Sequence, residues 1–114
     1  MKYMLLIHSD SSAWADDPAA GEKLHAEYGQ FTQEILASGE MVAGDQLAGV
    51  DTATCVRVRD GRTTTTDGPF AETKEHLGGY YVVDVADLDR AIQLAGRIPA
   101  ARTGVVEVRP IFAM

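Results

Sequence analysis

Cysteine is nearly absent from this chain. Cys55 stands alone, so no internal disulfide can form, and no second cysteine or Cys/His pairing accompanies it to suggest zinc. It reads as a small core or sheet residue. Long apolar runs are missing too. The N-terminal run Tyr3-Met4-Leu5-Leu6-Ile7 is too short for the apolar region of a signal peptide and far short of a membrane span. A cytoplasmic location without a membrane partner is therefore expected. Positive charge is scarce: ten Lys and Arg against seventeen Asp and Glu leave a net charge of −7. Such a surface repels nucleic acid and anionic lipid and attracts a basic partner. The three histidines show no metal-ligand spacing, which predicts no metal. A phosphate-cradling glycine loop, a Gly-x-Ser-x-Gly elbow and a haem-attachment pair are also lacking, and no cofactor is expected.

What is present reads as a single domain over residues 1–114, large enough to build a core without staples. Residues 3–7 form a continuous apolar strand, ended by His8-Ser9-Asp10-Ser11-Ser12. Trp14 in the following loop is expected to fold back as a lid. Asp17-Pro18 places a capping carboxylate before a proline at the first helical position, and Leu24, Tyr28, Phe31 and Ile35 follow as an apolar stripe up to Gly39. Gly29 beside that stripe suits a close approach of another element. Residues 41–43 are a short strand or extended connection, and 45–52 read as loop.

Asp60-Gly61 is the pair preferred by a two-residue type I′ turn, flanked by strands over 53–59 and 62–66. Val56 and Val58 then share a face, expected to meet the core. Asp67-Gly68-Pro69 makes a stiff corner, with the Asp67 side chain bonding forward to backbone N–H groups. Residues 71–77 hold good helix formers and predict one or two helical turns closed by Gly78, with a strand resuming at Gly79 or Tyr80. Residues 84–87 offer capping side chains for a second helix with the stripe Leu88, Ala91, Ile92 and Ala95 up to Gly96, and an alternating strand over 105–111 carries Pro110 near its end.

Two strand–helix–strand units crossing over right-handed put both helices on one face of a mainly antiparallel sheet. The expected class is α+β, a ferredoxin-like sandwich with a hairpin inserted. The strands at 3–7 and 80–83 are apolar on both sides, so the uncovered face predicts a homodimer built sheet against sheet.

The run from Asp67 to Val83, with the opening Lys2-Tyr3-Met4-Leu5-Leu6-Ile7, Tyr28-Gly29-Gln30-Phe31-Thr32, residues 54–60 and residues 104–110, resembles the DGPF-domain family, a branch of the YCII-related proteins. The resemblance implies the dimeric α+β barrel group and a link to extracytoplasmic-function sigma factors of bacterial RNA polymerase. Related YCII proteins are associated with a His/Asp active site. Counting back from Gly39, the family histidine falls at Tyr28, with His25 a turn earlier. The candidate pocket or binding residues are Tyr28, Asp67, Gly68, Pro69, Phe70, Glu72, Lys74, Tyr80 and Arg109, because a stiff corner, charges and tyrosines concentrate beside a buried strand. Catalytic residues are not assigned. Two functions remain open: a small regulatory or partner-binding module linked to a sigma factor, and a small-molecule enzyme using acid–base residues in a helix–sheet pocket.

Overall fold

The computed structural model describes residues 1–10, 17–71 and 73–113. Trp14 and Glu72, with the readings placed on them, lie outside the described residues. In chain order the elements are strand β1 (Lys2–Ser9), helix α1 (Pro18–Ala37), strands β2 (Met41–Gln46), β3 (Thr54–Arg59), β4 (Arg62–Asp67) and β5 (His76–Asp84), helix α2 (Leu88–Arg97) and strand β6 (Val105–Pro110). Short 3₁₀ turns occupy Val50–Thr52 and Pro99–Arg102. The main sheet has the order β2-β5-β1-β6 with every pairing antiparallel. That is the α+β ferredoxin-like arrangement, with the β3–β4 hairpin set apart as a second sheet.

Local chemistry explains the helices. The Asp17 carboxylate accepts from the Ala20 N–H at the start of α1, and Asp87 does the same for Arg90 at the start of α2. Gly39 takes a left-handed φ of 79° just past the end of α1. Both helices cover one face of the main sheet, burying Phe31 and Ile35 of α1 and Ala91, Leu94 and Ala95 of α2 with Tyr3, Leu5, Ile7, Tyr81 and Val83. Tyr81 meets Phe31 edge to face, with ring centroids 5.3 Å apart.

Several expectations need correction. On α2 the buried set is Ala91, Leu94, Ala95 and then Ile98, while Leu88 and Ile92 are exposed. The i, i+3, i+4, i+7 spacing of the buried set is the true stripe. Among the described residues of 71–77 no helix forms, and β5 begins at His76 instead. Ladder pairing outweighs local propensity here: His76 pairs with Ser9, the Leu47 N–H donates to the Gly78 carbonyl at 2.9 Å, and a side chain at Gly79 would sit 3.0 Å from the Asp45 carbonyl oxygen. Strand β2 likewise runs on to Gln46, beyond the loop reading that began at Asp45. Gly29 is exposed, and a Cβ added there would meet no atom within 4 Å, so it mediates no close approach within the described chain.

The hairpin turns as expected. Asp60 and Gly61 have φ of 51° and 75°, and Val58 pairs with Thr63 and Val56 with Thr65. Its valine face, however, does not meet the core: Val56 and Val58 are 60% and 57% exposed. The helices already occupy the core side of the main sheet, and the hairpin projects as an arm. The radius of gyration, 16.1 Å, exceeds the roughly 13 Å of a compact chain this long, as a projecting arm requires.

Candidate functional site: the open sheet face and the Asp67 corner

Because side chains alternate along a strand, the residues between Tyr3, Leu5 and Ile7 point away from the helices. The pairing registers then lay two rows across the uncovered face. One runs Ala43, Val82, Met4, Arg109, and the next runs Asp45, Tyr80, Leu6, Glu107. The middle of this face is apolar, from Met4, Leu6 and Val82. Its flanks are polar.

On one flank the Tyr80 hydroxyl donates to Asp45 Oδ2 at 2.7 Å, and that bond to a carboxylate raises the pKa of the phenol. On the other, His8 Nε2 lies 3.2 Å from Glu107 Oε1, and Arg109 Nε is 3.9 Å from Glu107 Oε2. An imidazole–carboxylate pair beside an arginine can exchange a proton and hold an anion. Sequence reasoning missed this pair. The alternation of Val106 and Val108 with Glu107 and Arg109 marks which face they share, but nothing local announces that β6 lies beside β1.

The Asp67 corner is a second feature. Gly68 adopts a left-handed φ of 92°, its N–H donates to the Ala53 carbonyl at 2.7 Å, and its own carbonyl accepts from Cys55 Sγ at 3.2 Å. The backbone, rather than the Asp67 side chain, therefore holds the turn: among the described residues that carboxylate accepts no forward hydrogen bond. Asp67, Pro69 and Lys74 are exposed, and Phe70 is 83% exposed.

The candidate residues do not converge on one pocket. Tyr28 packs against the core on the helix side, where burial raises its pKa against the opposing pull of a hydrogen bond with the Ala100 backbone. Tyr80 faces the opposite way. Arg109 shares the open face with Tyr80, while Asp67, Gly68, Pro69, Phe70 and Lys74 belong to the corner beyond the hairpin. A shallow hollow of about 190 Å³ beside α1 is lined by Ala20, Lys23, Leu24, Glu27 and Arg102 but not by Tyr28, and Arg102 already donates to Glu27 Oε2 at 2.6 Å.

A family model for the YCII-related domain matches residues 1–114. The chain belongs to the YCII-related family. This YCII-related chain is also similar to the uncharacterized protein R00369 of Rhizobium meliloti (strain 1021), at 34% identity over 116 residues that cover 97% of this chain and 92% of the relative. Among the described residues no helix is long and apolar enough to cross a membrane.

A two-point ion pair of this YCII-related fold lies away from both features. Arg90 of α2 donates from Nε and Nη2 to the two Glu40 carboxylate oxygens, each at 2.8 Å, and the Ser38 hydroxyl adds a third donor. Arg90 first, and Ser38 with it, hold the Glu40 pKa at about 2. A depressed carboxyl pKa stabilises the fold above the unfolded value, near 4.5, and that contribution is lost as pH falls toward 2. Glu40→Gln should cost about 1 kcal/mol at pH 7, a modest figure because Arg90 is partly exposed. The gap between wild type and variant should close in acid. Urea midpoints from neutral pH downward will show this, and a constant gap would contradict it.

Proposed function

We propose that the chain works as a homodimeric binding module whose Asp67 corner docks a protein partner. The supporting observation is Phe70: a large aromatic held almost fully exposed on a backbone corner fixed by its own hydrogen bonds, the kind of anchor that protein interfaces bury. Asp67 and Lys74 flank it with opposite charges. The DGPF resemblance suggests an extracytoplasmic-function sigma factor as the partner, and the net charge of −7 suits a basic surface on it. The apolar centre of the open sheet supports the homodimer, built sheet against sheet.

Calorimetric titration with such a sigma factor from the same organism tests the docking. Phe70→Ala should weaken binding at least about tenfold, as loss of a buried aromatic anchor does, with the circular dichroism unchanged. Asp67→Asn and Lys74→Met should each weaken it as well, because each removes one charge and little else. Full affinity in all three variants would overturn the assignment of the corner. Sedimentation should give about 25 kDa, twice the 12.3 kDa chain.

The His8–Glu107 pair favours a second reading, a small-molecule enzyme of the dimeric α+β barrel type with acid–base groups on the sheet. A small molecule that raises the melting temperature of the wild type but not of His8→Gln would decide for it.

A further inference from the structure

An isolated two-stranded hairpin is marginal in water, and β3–β4 is one: it forms its own sheet and contributes no residue to the core. Its two faces differ. Val56 and Val58 lie with Thr63 and Thr65 on one side, and Arg57 and Arg59 lie on the other, with Arg62 opposite Arg59. None of these three arginines pairs with a carboxylate among the described residues, whereas Arg90, Arg97, Arg102 and Arg109 all do.

Charge indicates what covers the arm. Three arginines against Asp60 and Asp67 leave residues 54–67 at +1, so the rest of the chain carries −8 of the total −7. Two copies of the acidic body repel each other, and the net-positive arm can lie against the partner's body without adding to that penalty. The body also has its own uncovered apolar surface, at Met4, Leu6 and Val82. Six residues per strand give a reach of about 20 Å, enough to extend past the edge of one sheet onto a neighbour.

We propose that the β3–β4 hairpin is an arm that clasps a second copy of this chain, laying Val56 and Val58 on the partner's body while its arginines reach the partner's carboxylates. This rests on the homodimer reading and adds the element that completes it. The arm is then ordered by association, and its valines are interface residues.

Hydrogen exchange on the full chain at high and low concentration, alongside sedimentation at the same concentrations, tests it. The β3 and β4 amides should be protected at least tenfold more in the dimer than after dilution to monomer, while β1 and β5 amides change little. Val56→Thr/Val58→Thr keeps β-branched strand residues and removes the apolar face, and should raise the dimer dissociation constant tenfold or more with the β1 and β5 amides still protected. A wild-type dimer whose arm amides exchange as fast as in the monomer would overturn the clasp and leave the homodimer standing. A monomer at every concentration would overturn both. Arm protection that persists unchanged in the monomer, or a double variant that dimerises as tightly as wild type, would also overturn the clasp.

Discussion

Gly104→Ala should lose about 3 kcal/mol or more of folding stability and lower the melting temperature by about 10 °C or more. Gly104 lies just before β6, where a Cβ would come within 2.3 Å of the His8 carbonyl oxygen and 3.2 Å of the Ser9 Cα. These are backbone atoms of the neighbouring strand, so no rotamer change relieves the clash. The chain would have to draw β6 away from β1 where His8 pairs with Val105, opening the ladder on which the His8–Glu107 pair depends. Thermal denaturation checks this directly. A variant melting within about 2 °C of wild type would mean that the edge strand moves aside at little cost.

Leu5→Ala should cost about 3 to 4 kcal/mol, within the range measured when a fully buried leucine is truncated in a core that cannot collapse. Leu5 is 0% exposed and sits on the central strand between Tyr81 and Val108, with helices above it. Neighbours on both sides are fixed in the sheet, so the vacated volume stays largely empty. Against a total stability of about 5 to 15 kcal/mol, this change alone threatens folding at physiological temperature. The urea midpoint should fall with an unchanged slope, and a midpoint close to wild type would show that the α-helices settle into the gap.

Elements whose signals are local were legible in the sequence. Asp17-Pro18, the run 84–87 and Asp60-Gly61 each carry a start or turn within a few residues, and the helices and the turn begin there, with Asp87 the member of its run that caps. Strand β5 was half legible: Tyr80-Tyr81-Val82-Val83 is plainly extended, but the stretch before it has helix formers that are overruled by partners arriving from Ser9 and Gln46. The valines of β3 illustrate a different limit. Period-two alternation tells which residues share a face but not what that face meets. The candidate site was legible as a corner and hidden as a surface, since His8 and Glu107 are 99 positions apart and Tyr80 and Asp45 are 35.

Pro110 closes the outer edge of the main sheet. The Ile111 N–H donates inward to the Lys2 carbonyl at 2.9 Å, so by alternation the missing N–H of Pro110 belongs to the side that faces outward from β6. At the opposite edge β2 breaks register between Met41 and Ala43, which spoils it as a template. Strands of other molecules thus find neither edge of the four-stranded sheet ready for continuous pairing, and lateral growth into fibres is disfavoured on both sides. In the proposed homodimer, copies meeting face to face would use up their contact surface in pairing, so the assembly would end at two chains instead of propagating.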